Sequence, residues 1–267
     1  MAKYLTLVFA LLTSSLLAQS VFEDDFTKEL SFGININTNG GLPAGINFKY
    51  GKITDNARIN TTFGVELVAV RHPQEYKFSI SGLNNNTQSF VRAKANYLYS
   101  LRLQYGKDII LFRKAPQEGI QVNAIFAGGL SLGMLKPYMI RYDVSSINSV
   151  VGGRTEDLPF YSFNLEDAGE FQRLYGAPFT EDRILGRGAF FKGFDQMKFV
   201  PGLNAKIGLA FEASAFKNSL TGAEVGFSLE VFSQKMQILN IGFAGLEVKN
   251  YSTFAAMYLT AFFGARR

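Results

Sequence analysis

The sequence predicts an all-β protein, a closed antiparallel transmembrane β-barrel of eight strands, and three observations indicate this fold. Eight segments alternate apolar and polar side chains with a period of two, the spacing of a strand whose two faces meet different surroundings. These segments indicate strands of roughly 9 to 14 residues, a length that lets a tilted strand cross a bilayer. The connections between them alternate between short and long, as they do in barrels with turns at one end and loops at the other.

The alternating segments follow one another along most of the chain. They are residues 30–37, 46–50, 59–70, 96–105, 120–133, 203–213, 223–231 and 252–263. In residues 203–213, for example, Ile207 and Leu209 share one face and Lys206 lies on the other. The last segment is apolar or small on both faces, so the sequence does not decide which face points outward. Residues 107–113 and 236–248 could add two strands, which would make ten.

The connection lengths support a barrel with two different ends. The predicted connections are residues 38–44, 51–57, 71–90, 107–118, 137–197, 214–222 and 234–250. The first, third, fifth and seventh include the long ones, and we place them on the outer side of the membrane. The fifth, residues 137–197, is predicted to be one long extracellular loop.

The amino terminus is typical of a cleaved signal peptide. Lys3 precedes an apolar run over residues 4–12, and the stretch ends in the small-residue sequence AQS at residues 18–20. We therefore expect residues 1–20 to be removed and residues 21–267 to form the barrel domain. Export followed by insertion predicts the cell outer membrane of a Gram-negative bacterium, with outer-membrane lipid as the first partner.

Composition excludes several other kinds of site. The chain has no Cys and one His, which rules out thiolate sites and multi-histidine metal sites within one chain. The 27 basic residues exceed the 22 acidic ones too modestly to indicate nucleic-acid binding. We expect no metal and no cofactor.

Charged residues lie on the polar face of the predicted strands. The set is Glu66, Arg102, Lys206, Glu212, Glu224 and Glu230. In a barrel of eight strands the interior is just filled by side chains, so these residues are expected to form a buried network of ion pairs. A small-solute pore would need an emptier lumen. In a soluble barrel such as a lipocalin, the apolar faces would instead point inward.

Aromatic residues are concentrated in the predicted long loop. We expect the binding surface, if there is one, to include Phe160, Tyr161, Phe163, Phe171, Tyr175, Phe190, Phe191 and Phe194. Loops of this length are usually functional, and exposed aromatic residues on this scale either pack together as a cap or bind a partner. Both interpretations stay open, and an outer-membrane or surface protein is the candidate partner.

His72 supports a competing hypothesis from a different functional class. It follows the third predicted strand, and Glu75 lies close by in sequence. Small barrels that act as lipid A acyltransferases or deacylases use a His with Ser and an acidic residue near the outer membrane face. The other interpretation is a His-Pro turn at the end of a strand.

Four stretches resemble a family of small outer-membrane β-barrel proteins from Bacteroidota. They are "YGK" (50–52), "RHPQE" (71–75), "GGLSLG" (128–133) and "FFKGFDQMKFVPGLNAKIGLAFE" (190–212). The resemblance implies an OmpA-like transmembrane barrel and supplies no catalytic residues. Together with the loop it predicts a structural or interactive role, in which the barrel presents residues 137–197 to a partner or ligand.

Overall fold

A computed structural model describes residues 27–54, 58–81, 87–113, 119–145, 154–160, 165–176, 178–213, 218–240 and 249–267. The predicted signal peptide, residues 1–20, lies outside these ranges. Within them, no helix is both long enough and apolar enough to cross a membrane.

Eight strands close into an antiparallel barrel, which confirms the predicted fold class. The strands of the chain are β1 (Lys28–Asn37), β2 (Gly41–Ile53), β3 (Ile59–Val70), β4 (Lys77–Ser81), β5 (Thr87–Val91), β6 (Asn96–Phe112), β7 (Gln121–Pro137), β8 (Met139–Asp143), β9 (Thr155–Pro159), β10 (Ile184–Arg187), β11 (Lys198–Glu212), β12 (Ser219–Phe232) and β13 (Thr253–Arg266). The order around the barrel is β1-β13-β12-β11-β7-β6-β3-β2, and β2 pairs with β1 to close it. Every barrel strand therefore has two hydrogen-bonded neighbours, as a sheet in lipid requires.

The apolar face of each barrel strand points outward and the polar face points into the lumen. On β11, Leu203 and Ile207 are exposed, whereas Lys206 is buried. The register also settles the facing of the last strand, β13. Leu259 lies opposite Val225 and points outward with it, so that Tyr258 is buried in the lumen.

The two stretches considered as extra strands add none to the barrel. Residues 107–112 continue β6, which is longer than the predicted segment and pairs with β7 along almost its whole length. The described part of residues 236–248 ends at residue 240, and its one ladder contact is an isolated bridge between Leu239 and Lys94. The barrel thus has eight strands, and the ten-strand alternative is wrong.

The two ends of the barrel differ strongly. The connections β1–β2, β3–β6, β7–β11 and β12–β13 lie at one end, which we call the loop end. The other end, the turn end, carries the connections β2–β3, β6–β7 and β11–β12 and both ends of the described chain, where Thr27 bonds to Arg267. Three of the four loop-end connections are long, whereas the β1–β2 connection, residues 38–40, is shorter than every turn-end connection, so the alternation of lengths is incomplete.

The loop end has secondary structure of its own. Strands β4 and β5 form a hairpin, and β8 lies between β9 and β10 in a second small sheet. A helix, α1 (Leu165–Tyr175), connects β9 to β10. The predicted long loop is thus largely a folded unit.

Apolar side chains form three separate clusters along the barrel axis. The first, which we call the cap, packs the loop-end strands and helix together. It consists of Phe90, Val91, Ala93, Tyr138, Ile140, Tyr142, Leu158, Phe160, Phe171, Phe179 and Ile184. The second, the plug, fills the lumen at the loop end, and Met236 and Ile238 enter it from the β12–β13 connection. The third, around Ile125 and Phe262, lies in the lumen nearer the turn end. The charged part of the lumen lies between the second cluster and the turn end.

Candidate functional site

Lys206 occupies the centre of the lumen between two carboxylates. Its Nζ lies 2.7 Å from Glu66 Oε1 and 3.0 Å from Glu224 Oε1. The Tyr258 hydroxyl donates a hydrogen bond of 2.7 Å to Glu224. Because all four side chains belong to different strands, the contacts tie the barrel walls together across the interior.

Arg102 continues the network toward the loop end. Its Nη2 lies 2.9 Å from Glu230 Oε2, and its Nη1 lies 3.5 Å from Glu66 Oε2. Glu230 also accepts hydrogen bonds from Ser100 and Ser131. Both oxygens of this buried carboxylate therefore have donors, which buried charges require.

Two residues that sequence reasoning did not assign to the network extend it toward the turn end. Lys49 Nζ lies 2.9 Å from Asp108 and 3.5 Å from Glu224. Lys49 lies on the polar face of residues 46–50, so the period of two carried the signal. Asp108 was assigned to a connection, because β6 extends beyond the predicted segment.

Glu212 lies apart from the other predicted network residues. It pairs with Arg266, which also contacts Glu29 at 2.7 Å. Arg266 is the last residue of β13 and lies beyond the predicted segment 252–263. Two networks, one central and one at the turn end, therefore replace the single predicted one.

The described part of the lumen is filled. Charges alternate in sign from Glu230 through Arg102, Glu66, Lys206, Glu224 and Lys49 to Asp108. Two interior voids lined by described residues have volumes of about 10 and about 20 Å³, each enough for about one water molecule. This interior offers structural support for the strands and no path for a solute.

The aromatic residues of the predicted loop divide into two groups, and the first is the buried core of the cap. Phe160 and Phe171 are buried, and each ring lies within 6 Å of the Phe179 ring. Tyr175 packs on Phe171 at 4.7 Å between ring centroids. Tyr142 of β8 stacks on Phe179 at 4.9 Å and meets the Phe171 ring edge-on at 5.4 Å, and the second contact joins the helix to the small sheet.

Tyr138 connects the cap to the β4–β5 hairpin. Its hydroxyl accepts a hydrogen bond of 2.9 Å from the backbone N–H of Val91, at the end of β5. Burial raises the pKa of Tyr138 to about 12, so the hydroxyl keeps its proton at any physiological pH.

The second group is an exposed aromatic trio, Phe190, Phe191 and Phe194. Their side chains are 51%, 84% and 44% exposed, and adjacent rings lie 5.4 to 6.5 Å apart. The Nζ of Lys136 lies 4.8 Å from the centroids of both the Phe190 and the Phe194 rings. Cap formation and surface exposure thus involve different residues, whereas the sequence treated all of them as one set.

Two of the aromatic residues proposed from the sequence, Tyr161 and Phe163, lie outside the described residues.

His72 has both ring nitrogens engaged in backbone contacts. Nδ1 accepts a hydrogen bond of 3.1 Å from the backbone N–H of Gln74, so Nε2 carries the proton and donates to the Lys249 carbonyl at 3.0 Å. The ring is buried and stacks on Tyr251. Both ring nitrogens of His72 are thus engaged in backbone hydrogen bonds within a turn.

Glu75 contacts the backbone of His72 and not its ring. One carboxylate oxygen accepts from the His72 N–H at 3.1 Å and pairs with Lys94 Nζ at 2.7 Å. Burial lowers the pKa of Lys94, and the Glu75 carboxylate opposes that effect. The cluster fixes the end of β3 against the β12–β13 connection.

Among the described residues, no group of three His, Asp or Glu side chains is placed to hold a metal ion.

No protein-family model matches the chain, and no curated protein matches it. Two solved structures of Ail, the attachment invasion locus protein of Yersinia pestis, are similar to the chain, one of them in complex with the heparin analogue sucrose octasulfate. They share 11% and 10% identity, cover 91% of this chain and 99% of theirs, and have TM-scores of 0.35 and 0.36. Neisserial surface protein A (NspA) shares 9% identity over 91% of this chain and 97% of its own, with a TM-score of 0.35. At such low values, we transfer no function from these proteins.

Proposed function

We propose that the protein is an integral outer-membrane protein in which a filled eight-stranded barrel anchors a folded loop end that interacts with a partner. The predicted signal peptide at residues 1–20, the loop end on the outer side and the resemblance to Bacteroidota barrels are parts of this proposal. The observation that carries it is the contrast between an apolar outer wall and a lumen filled with paired charges.

The outer wall has the height of a bilayer core. At the outward positions of the eight barrel strands, among the described side chains, none is acidic, and the basic ones are Lys28, Lys52, Lys107 and Lys136. The first three lie toward the turn end, and Lys136 lies at the loop end. Lys107 pairs with Phe126, ten residues before Lys136 on β7. Ten residues of a strand tilted by about 40° rise about 26 Å, which matches the apolar band of about 25 Å in membrane barrels.

The loop end supports an interactive role. Its cap gives it a core that is separate from the barrel, and the aromatic trio is exposed on its edge. Rigid loop ends of this kind present side chains in fixed positions, which favours binding. The alternatives are less well supported: the voids are too small for a pore, and a lipid A-modifying enzyme based on His72 would need a free ring nitrogen.

Fractionation and conductance together test the proposal. The tagged full-length protein is produced in a Gram-negative host, and its outer membranes are washed with urea. We expect the protein to stay in the washed membranes, protease added to intact cells to cut within residues 138–197, and planar bilayers to show no channels. Recovery in the soluble periplasmic fraction would contradict membrane insertion, and steady conductance steps would contradict a filled lumen.

A further inference from the structure

An aromatic and basic surface lies on the outer wall at the loop-end rim of the barrel. We call it the rim patch, and it consists of Tyr97, Lys136, Arg187, Phe190, Phe191, Lys192 and Phe194. Tyr97 and Lys136 are register partners on β6 and β7, and both occupy outward positions. The patch therefore faces the surrounding lipid and not the lumen.

The turn that contains the aromatic trio folds down onto Lys136. The Lys136 Nζ donates a hydrogen bond of 2.5 Å to the Phe190 carbonyl and lies 5.4 Å from the Tyr97 ring centroid. With the Phe190 and Phe194 rings on its other sides, Lys136 is 1% exposed. Cation–π contacts at this distance hold the rings in place, so that the outer faces of the trio are presented as one surface.

Among the described residues, the cations of the rim patch have no carboxylate partner. Lys136 forms no ion pair with any carboxylate of the described residues, and the same holds for Arg187 and Lys192. The Arg187 guanidinium instead meets the Tyr97 hydroxyl, next to Lys136. The acidic side chain nearest in sequence is Asp195, which is exposed and forms no ion pair with them. The Asp157 carboxylate accepts a hydrogen bond from the Ala189 N–H, beside Phe190, but it is already paired with Arg141. The described charges around the trio therefore leave a net positive surface.

We propose that the rim patch binds the anionic phosphate headgroup of a lipid from the surrounding bilayer. Arg187 and Lys192 would contact the phosphate, the trio would pack on the upper part of the acyl chains, and Lys136 would act as a positioning residue beneath the rings. Aromatic rings and basic side chains are typical of the level at which lipid headgroups lie. This inference rests on the proposed function, because it requires the outer wall to stand in a membrane.

Lipid retention measured by native mass spectrometry tests the inference. The full-length protein in non-ionic detergent is mixed with equal amounts of phosphatidylglycerol, which is anionic, and phosphatidylcholine, which has a phosphate but no net charge. We expect the wild-type protein to retain phosphatidylglycerol preferentially. The double variant Arg187→Gln/Lys192→Gln should bind it about twenty-five-fold more weakly, about fivefold for each cation removed. Added salt should reduce the wild-type preference.

Lys107→Gln is the matched control. Lys107 is also an outward lysine on a barrel strand and is exposed, but it lies near the turn end, away from the aromatic trio. Its loss should leave the lipid preference unchanged. Equal retention of the two lipids by the wild-type protein would overturn the inference, and so would an equal loss of preference in the control and the double variant. Displacement of phosphatidylglycerol by millimolar inorganic phosphate would also overturn the inference, because it would indicate a site for a free anion.

Failure of the inference differs from failure of the proposed function. A protein that stays in urea-washed outer membranes but shows no lipid preference contradicts only the rim patch. A protein that never reaches those membranes contradicts the proposed function itself.

Discussion

Lys206 is a single side chain that keeps two carboxylates, Glu66 and Glu224, stable inside a space with almost no room for water. Removing one partner of a buried ion pair leaves an uncompensated charge, which is far more destabilising than the pair is stabilising. The other cations of the network reduce the destabilisation expected on loss of Lys206, because Arg102 and Lys49 each contact one of the two carboxylates at 3.5 Å.

We expect Lys206→Met to lower the free energy of unfolding by about 3 kcal/mol, at the lower end of the range for a broken buried pair. Urea unfolding of the protein refolded in lipid vesicles measures the change. Circular dichroism follows the transition, because the chain has no Trp for fluorescence. Lys107→Met is the control, because it removes an exposed lysine of the outer wall and should change stability by less than about 0.5 kcal/mol. Equal stabilities of the two variants would show that the network does not depend on Lys206.

For such a residue, the sequence predicts which face of the strand the side chain lies on better than it predicts which residues the side chain pairs with. A period of two is enough to indicate that Glu66 and Lys206 share the polar side of the wall. Partner choice depends on how the barrel closes: Arg102 lies opposite Glu66 in the β3–β6 register, yet its shorter contact is with Glu230 on β12. Contacts across the lumen follow from strand tilt and shear, which no single segment of sequence encodes.

Within the elements of the loop end, helix α1 presents one side to the cap and the other to solvent. Phe171 is 1% exposed and lies among Tyr142, Tyr175 and Phe179. Leu174, three residues later, is 58% exposed. The helix therefore depends on its aromatic contacts, because an isolated helix of this length is only marginally stable in water.

We expect Phe171→Ala to open the loop end without unfolding the barrel, since Phe-to-Ala changes in a core cost about 3 to 5 kcal/mol. Protease digestion of the detergent-solubilised protein should cut residues 138–197 at least tenfold faster than in the wild type. Leu174→Ala on the same helix should leave the cutting rate unchanged. If both variants are cut at the wild-type rate, Phe171 does not hold the cap together.

The loop end is also the part of the fold that the sequence predicts least. Its aromatic residues occur at irregular spacing, so no period separates Phe171, which is buried, from Phe191, which is exposed. The difference arises from tertiary contacts: Phe171 meets residues of β8, whereas the turn of Phe191 folds onto Lys136 of the barrel wall. The barrel strands were predictable because each one places apolar residues outward and polar residues in the lumen at alternate positions.

In the whole molecule, the long connections of the loop end are not equivalent. The β12–β13 connection contributes Met236 and Ile238 to the plug inside the barrel, and both are fully buried. The β7–β11 connection contributes to the cap and supplies none of the residues of the plug. The barrel therefore includes one of its connections as part of its core and carries the other as an added unit.

This difference predicts that the barrel folds without the β7–β11 connection. Leu135 and Lys198 are register partners on neighbouring strands, so that residues 136 and 197 face each other and a two-residue Asn-Gly turn can replace residues 137–196. We expect the shortened protein to keep the faster gel migration of an unheated folded barrel and a thermal midpoint within a few degrees of the wild type. Met236→Ala, which leaves every connection in place, should instead destabilise the barrel by about 2 to 5 kcal/mol, because it empties part of the plug. A shortened chain that fails to refold in lipid vesicles, beside a Met236→Ala variant of normal stability, would reverse the roles of the two connections.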